Sequence, residues 1–160
     1  MQLVARFVIA QGPLTNIATL IKNRPDLKNR IVRIVFVGGK HPGQLFHPGD
    51  QWWFHFGDLN VSQDPRAAEA VLYSGIPLTL MPFELATNLM MTPSALELLR
   101  LGDDDAKWLS EISQHWSSFW EERLGRKGFY PFDALAVSYV ATPEHFECRN
   151  IHARIASAFF

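Results

Sequence analysis

Cysteine is almost absent. Cys148 is the only one in 160 residues, so no internal disulfide can form, and a reducing compartment is the simplest setting. A single cysteine without an electropositive, exposed surrounding is expected to be a small core residue. Excess charge of either sign is also absent: 15 Lys and Arg stand against 16 Asp and Glu, a net charge of -1. That balance gives no electrostatic basis for binding nucleic acid or an anionic membrane. No apolar run is long enough to cross a bilayer. The opening Met1–Ala10 is apolar, but it contains Arg6 and meets Gly12-Pro13 at once, too short for a signal peptide with its cleavage region. A soluble, cytoplasmic protein is the expectation. Internal repeats, low-complexity tracts and interdomain linkers are missing as well. So is a Gly-x-Gly-x-x-Gly after the first apolar run, which argues against a dinucleotide-binding domain.

What is present suffices for a core, since 48% of the residues are apolar. Leu3–Ala10 is a short, β-branched apolar run that suits a fully buried strand. Gly12-Pro13 breaks it. Leu14, Ile17, Ala18 and Ile21 then follow helical spacing as far as Pro25, and Ile31–Val37 is a second buried strand ended by Gly38-Gly39. Strand, glycine-bearing turn, helix and strand make a βαβ unit with a parallel sheet. Lys40 to Phe56 is a long irregular stretch, a length often tied to function. Asp64-Pro65 caps a helix whose buried face holds Ala68, Val71 and Leu72, with Gly75 as its stop. Ile76–Met81 gives a third strand, and Thr92-Pro93 starts a further helix that Gly102 ends. Asp103-Asp104-Asp105 opens the longest helix, through about Leu124, and is better read as a helix start than as a metal site. The stripe Trp108, Ile112, Trp116 and Phe119 along that helix predicts a core-facing side. Asp133 opens a last helical pattern through Val140.

Three segments resemble, in order, the inosine-uridine preferring nucleoside hydrolase family. The first is Gly12-Pro13-Leu14-Thr15-Asn16 after a buried strand. The second is Asp58-Leu59-Asn60 followed by Asp64-Pro65-Arg66-Ala67-Ala68, similar to the family's Glu-Phe-Asn and Asp-Pro-Glu-Ala-Ala. The third is Phe132-Asp133-Ala134-Leu135-Ala136-Val137, similar to His-Asp-Pro-Leu-Ala-Val. The resemblance covers almost the whole chain. It implies an α/β, Rossmann-like fold with a largely parallel sheet, residues 1–160 forming the central to C-terminal part of a single such domain. It also implies hydrolysis of the N-glycosidic bond of ribonucleosides with calcium as cofactor. Gln11, by its backbone carbonyl, and Asp133 fall where the family binds calcium, whose preference for hard oxygen ligands they meet. Asp58 and Asn60 fall where a carboxylate and an amide hold ribose hydroxyls while an oxocarbenium-like transition state develops.

Simpler readings stand beside these roles. Asn16, Asp64 and Asp133 each sit where a helix cap is expected. His41, His47 and His55 share the long loop without zinc-site spacing. The departures from the family are equally specific. Its aspartate cluster, Asp-x-Asp-x-x-x-Asp-Asp after the first strand, has no counterpart, so the general base and most calcium carboxylates are expected in a missing N-terminal segment. The family glutamate is the shorter Asp58, a ribose-contacting asparagine is replaced by Trp52, and the proton-donating histidine is Phe132, which carries no proton. Trp52, Trp53, Phe54 and Phe56 could stack on a base or cover a bare sheet edge. Two readings follow: an N-ribohydrolase represented by an incomplete chain, or a non-catalytic remnant that binds nucleosides or a protein partner. The partner set is a small nucleoside, no nucleic acid and no membrane, with a homo-oligomer among the allowed assemblies. Apolar sheet surface is expected to be exposed unless the 52–56 loop covers it.

Overall fold

The computed structural model describes residues 6–49 and 55–156. In chain order the elements are β1 (Arg6–Ala10), α1 (Thr15–Asn23), β2 (Ile31–Val37), α2 (Leu59–Gln63), α3 (Pro65–Leu72), β3 (Leu78–Met81), α4 (Phe83–Thr87), α5 (Pro93–Leu99), α6 (Asp104–Leu124) and α7 (Phe132–Ala141), with 3-10 turns at Pro25–Arg30 and Pro143–His145. They gather into two compact units. The first comprises the described residues of Met1–Pro42, Asp58–Phe83 and Phe132–Phe160, the second those of Gly43–Gly57 and Glu84–Pro131. No described helix is long and apolar enough to cross a membrane.

The first unit is the expected α/β layer. Its strands form a parallel sheet in the order β1-β2-β3 among the described residues. Val8 pairs with Ile34 and Ile34 with Leu78, while Ala10 pairs with Phe36 and Phe36 with Leu80. Because side chains alternate along a strand, these residues share one face, and α1 and α3 cover it through Leu14, Ile17, Ile21, Ala67, Ala68 and Val71. Leu14, Ile34 and Val71 are essentially inaccessible to water, each burial worth about 1.5–3 kcal/mol. On the other face Val35 and Val37 are buried too, and α7 packs on β1 and β2 with Leu135 and Ala136 buried. From Ile34 to Val37, β2 is therefore the buried strand expected of it, covered on both faces, while Arg33 interrupts the apolar run and donates to Thr79 Oγ1 at 2.8 Å.

β1 departs from expectation. It pairs with β2 along one edge, and Phe7 and Ile9 remain exposed on the face away from α1. The run is apolar enough for a central strand, and α7 reaches β1 on that side, yet its cover leaves Phe7 half exposed and Ile9 partly so. Asn16 does not cap α1. Leu14 holds the cap position without a side-chain bond, and Asn16 lies inside the helix. Asp64 and Thr92 do cap their helices, accepting from Ala67 N and Ala95 N.

The second unit is built around α5 and α6. The Asp103 carboxylate accepts from Ala106 N at 2.9 Å, and Gly125, at φ 68°, closes α6 in the left-handed region. The acidic triplet is thus a helix start, as predicted. The aromatic stripe is not core. Trp108 is 61% exposed and Trp116 49%, with Ile112 and Phe119 similarly open. The buried side of α6 is instead Ser110, Ser117, Trp120 and Leu124. Ser110 Oγ donates to Leu96 O at 2.8 Å, so a small hydroxyl residue lets α5 approach closely and the bulky apolar side chains are turned away. Phe46, Tyr130 and Trp120 pack edge-to-face nearby. Cys148 is exposed rather than buried, in an extended segment without helix or strand.

Candidate functional site

The ends of β1 and β2, the start of α2 and the start of α7 meet in the first unit. Gln11 directly follows β1. Its side-chain amide donates to the backbone carbonyl of Asp133 at 2.9 Å, which fixes the first turn of α7 against the end of the sheet. Asn60, at the second position of α2, directs Nδ2 to Val37 O at 2.8 Å and lies 3.4 Å from Gln11 O. The amide hydrogens are thereby turned to two strand-end carbonyls, which leaves Oδ1 as the acceptor facing elsewhere. Gln11, Asn60 and Asp133 are brought together at the carboxyl ends of parallel strands, where open α/β sheets bind ligands.

Asp58 belongs to the same corner. It caps α2, accepting from Val61 N at 2.7 Å, and its second oxygen accepts from Gly39 N. Gly39 has φ 99°, a left-handed conformation that favours glycine. A Cβ on Gly38 would lie 2.4 Å from the Phe36 ring. The Gly38-Gly39 turn thus lets the chain leave β2 tightly and present an N–H to Asp58. Each Asp58 oxygen holds one backbone donor and keeps a lone pair for another.

Asp133 sits in the first turn of α7. Partial burial raises its pKa from the ordinary aspartate value, although one side stays open to solvent. A carboxylate stripped of water without a compensating donor favours protonation, or a cation brought to it. Calcium takes about six to eight oxygens, and the residues placed here supply the Gln11 carbonyl and the Asp133 carboxylate with Asp58 beside them. Among the described residues no group of three or more His, Cys, Asp and Glu could hold a metal ion. This donor set does not fit a resident calcium by itself. Phe132 lies next to Asp133, half-buried. Trp52 lies outside the described residues.

Two features of this corner escape sequence reading. One is the Gln11 side chain acting as a tie to α7, which no local pattern signals. The other is a cavity of about 530 Å³ that shares Asp58 and Gly39 and is lined by Phe36, Leu72, Leu80 and the segment from Ile151 to Ala156. Ile155 from that segment packs on the sheet core.

Comparison with known proteins gives the family and the fold. The model of the family described as inosine-uridine preferring nucleoside hydrolase matches residues 5–158. A pyrimidine-specific ribonucleoside hydrolase, RihB, of Escherichia coli O17:K52:H18 is 26% identical over 149 residues, which is 92% of this chain and 45% of the relative. The chain thus spans about half the length of the curated relatives it matches. Among solved structures, a purine-preferring ribonucleoside hydrolase from Gardnerella vaginalis superposes with a TM-score of 0.69 at 28% identity, covering 86% of this chain and 42% of that one. A plant nucleoside hydrolase, PpNRh1, gives 0.70 at 21% identity over 86% of this chain and 42% of its own, a likeness of fold.

Proposed function

The chain belongs to the inosine-uridine preferring nucleoside hydrolase family, and from that premise we propose that it carries the sugar-binding side of a ribonucleoside hydrolase site. The observation that carries this reading is the convergence of Gln11, Asn60 and Asp133, with Asp58 beside them. Asn60 Oδ1 and the Asp58 and Asp133 carboxylates are acceptors suited to ribose hydroxyls. Holding those hydroxyls fixes the sugar while positive charge grows at its anomeric carbon and the base departs. By name, one relative is pyrimidine-specific and another purine-preferring. A ribose-side role for these residues agrees with relatives that differ in the base they take.

Turnover is a separate demand. Activating water needs a general base in reach of the anomeric carbon. Among the described residues Asp133 is the single carboxylate that combines an open side with a raised affinity for protons, and it is assigned to the sugar. Phe132 offers no proton to a leaving base. The 160-residue chain therefore binds nucleoside weakly, holds calcium poorly and turns over little or nothing. Calorimetric titration with inosine, uridine and calcium, beside an assay for released ribose, tests both parts. Weak nucleoside binding that Asn60→Ala and Asp133→Ala each abolish is expected. Equal nucleoside binding by both variants would sink the site, and tight calcium binding with steady, Asp133-dependent turnover would sink the impairment.

A further inference from the structure

His47 and His55 lie in the long loop after β2, at a spacing that matches no zinc motif, and the nucleoside reading uses neither. The fold brings them together. Phe46 and Phe56 form an antiparallel bridge in which each N–H donates to the other's carbonyl, at 2.8 and 2.9 Å. Both backbone bonds fall between those two residues, so the next residues along, His47 and His55, stand opposite each other without a backbone bond of their own. Side chains approach most closely at such a position. The two rings lie 5.6 Å apart between centroids, tilted by 52°, and both side chains are exposed.

Distance and chemistry both select a metal ion. Zinc binds imidazole nitrogen at about 2.0–2.1 Å in a tetrahedral shell, which sets two rings on one ion about 5 Å apart, centre to centre. A small side-chain rotation closes the remaining gap. Neutral imidazole suits Zn²⁺, Cu²⁺ and Ni²⁺, whereas Ca²⁺ and Mg²⁺ prefer oxygen. The backbone around His47 is also held. The Phe46 ring packs edge-to-face on Tyr130, centroids 6.0 Å apart, and a Cβ on Gly49 would strike the carbonyl of Leu124 at the end of α6. His47 stands between these two anchored points, so at least one ligand is presented on fixed backbone.

We propose that His47 and His55 form a two-imidazole site for a first-row transition ion, with water completing the shell. The ion would tie the two limbs of the loop together. Its ligands are nitrogen, unlike the oxygens that Gln11 and Asp133 offer. With two protein ligands, fewer than the three or four of catalytic and structural zinc sites, the dissociation constant for Zn²⁺ is on the order of 10 μM. Cu²⁺ binds more tightly. The second imidazole arrives intramolecularly, at an effective concentration of about millimolar or above, so loss of either histidine costs roughly tenfold or more.

Calorimetric titration of the tag-free full chain with zinc chloride tests the site, with circular dichroism as the check on folding. The parent for all variants carries Cys148→Ser, because that exposed thiol is itself a zinc ligand when ionised. His47→Ala and His55→Ala should each weaken binding roughly tenfold or more, while His115→Ala, at an exposed histidine of α6, leaves it unchanged. Excess calcium should not displace the zinc. In NMR spectra of the histidine rings, the His47 and His55 signals should move together at the lowest zinc concentrations. No binding up to about 1 mM zinc overturns the proposal. So does undiminished binding by the double variant His47→Ala with His55→Ala, and a loss seen in only one of the two single variants overturns the pairing.

Discussion

Asp133 and Asp64 are both acids at the start of a helix, yet their environments push them in opposite directions. Asp64 accepts from Thr15 Oγ1 at 2.6 Å and from Ala67 N at 3.0 Å, and these bonds, that from Thr15 first, lower its pKa. The stability it contributes is present above the unfolded-state pKa and is lost as pH falls through the lower folded value. Asp133 is raised by desolvation, so the folded chain holds its proton more tightly than the unfolded one. Its ionisation costs stability as pH rises from the unfolded value through the folded one, and the cost persists above that window. Asp133→Asn should therefore raise the melting temperature at neutral pH and leave it unchanged in strong acid. Asp64→Asn should lower it at neutral pH, with the difference fading in acid. Thermal melts of both variants from neutral pH down to about pH 3 would show the two opposed trends, and parallel trends would refute the assignments.

Leu14 joins the start of α1 to the core of the sheet. It is 1% exposed and belongs to the cluster with Phe36 and Val71. Leu14→Ala should cost about 2–5 kcal/mol, a large share of the 5–15 kcal/mol typical of whole domains. Urea denaturation should show a lower midpoint with an unchanged slope. At this scale much of the fold was legible in the sequence. The apolar runs marked β2 at its bounds and all of β3 with two residues to spare at its start, and Asp64-Pro65, Thr92-Pro93 and the Asp103 triplet marked three helix starts. The misses share a cause. The sequence shows how apolar a segment is, while its neighbours decide which side is covered. β1 reads as a central strand but has Phe7 and Ile9 open. On α6, Ser110 sits on the packed face where α5 comes close, so the apolar stripe pointed the wrong way. At the candidate site, motif order singled out Gln11, Asn60 and Asp133, and the fold sets them side by side. The Gln11–Asp133 tie spans most of the chain and left no local trace.

The molecule divides into two compact units, and the first is completed by chain that carries no regular structure. After the 3-10 turn at Pro143–His145, the segment from Phe146 to Ala156 runs extended, mostly solvent-facing, with Ile155 seated on the core and neighbouring residues walling the cavity. Phe146 anchors its start edge-to-face against Tyr139, and beyond it a peptide held by one apolar peg, without a ladder of backbone bonds, opens on its own with a free energy far below that of global unfolding. Arg149, paired with Glu147 at 2.9 Å on the open surface, is then the bond that trypsin reaches first. Brief digestion should clip after Arg149 while the sheet and α3 stay intact. Ile155→Asp should speed that cut severalfold, because cleavage follows the open population when reclosing is fast. Equal rates for both chains would mean that the peg holds nothing. On this reading Ile155 is a latch: each departure of its side chain from the core exposes the segment, and the cutting rate counts those departures.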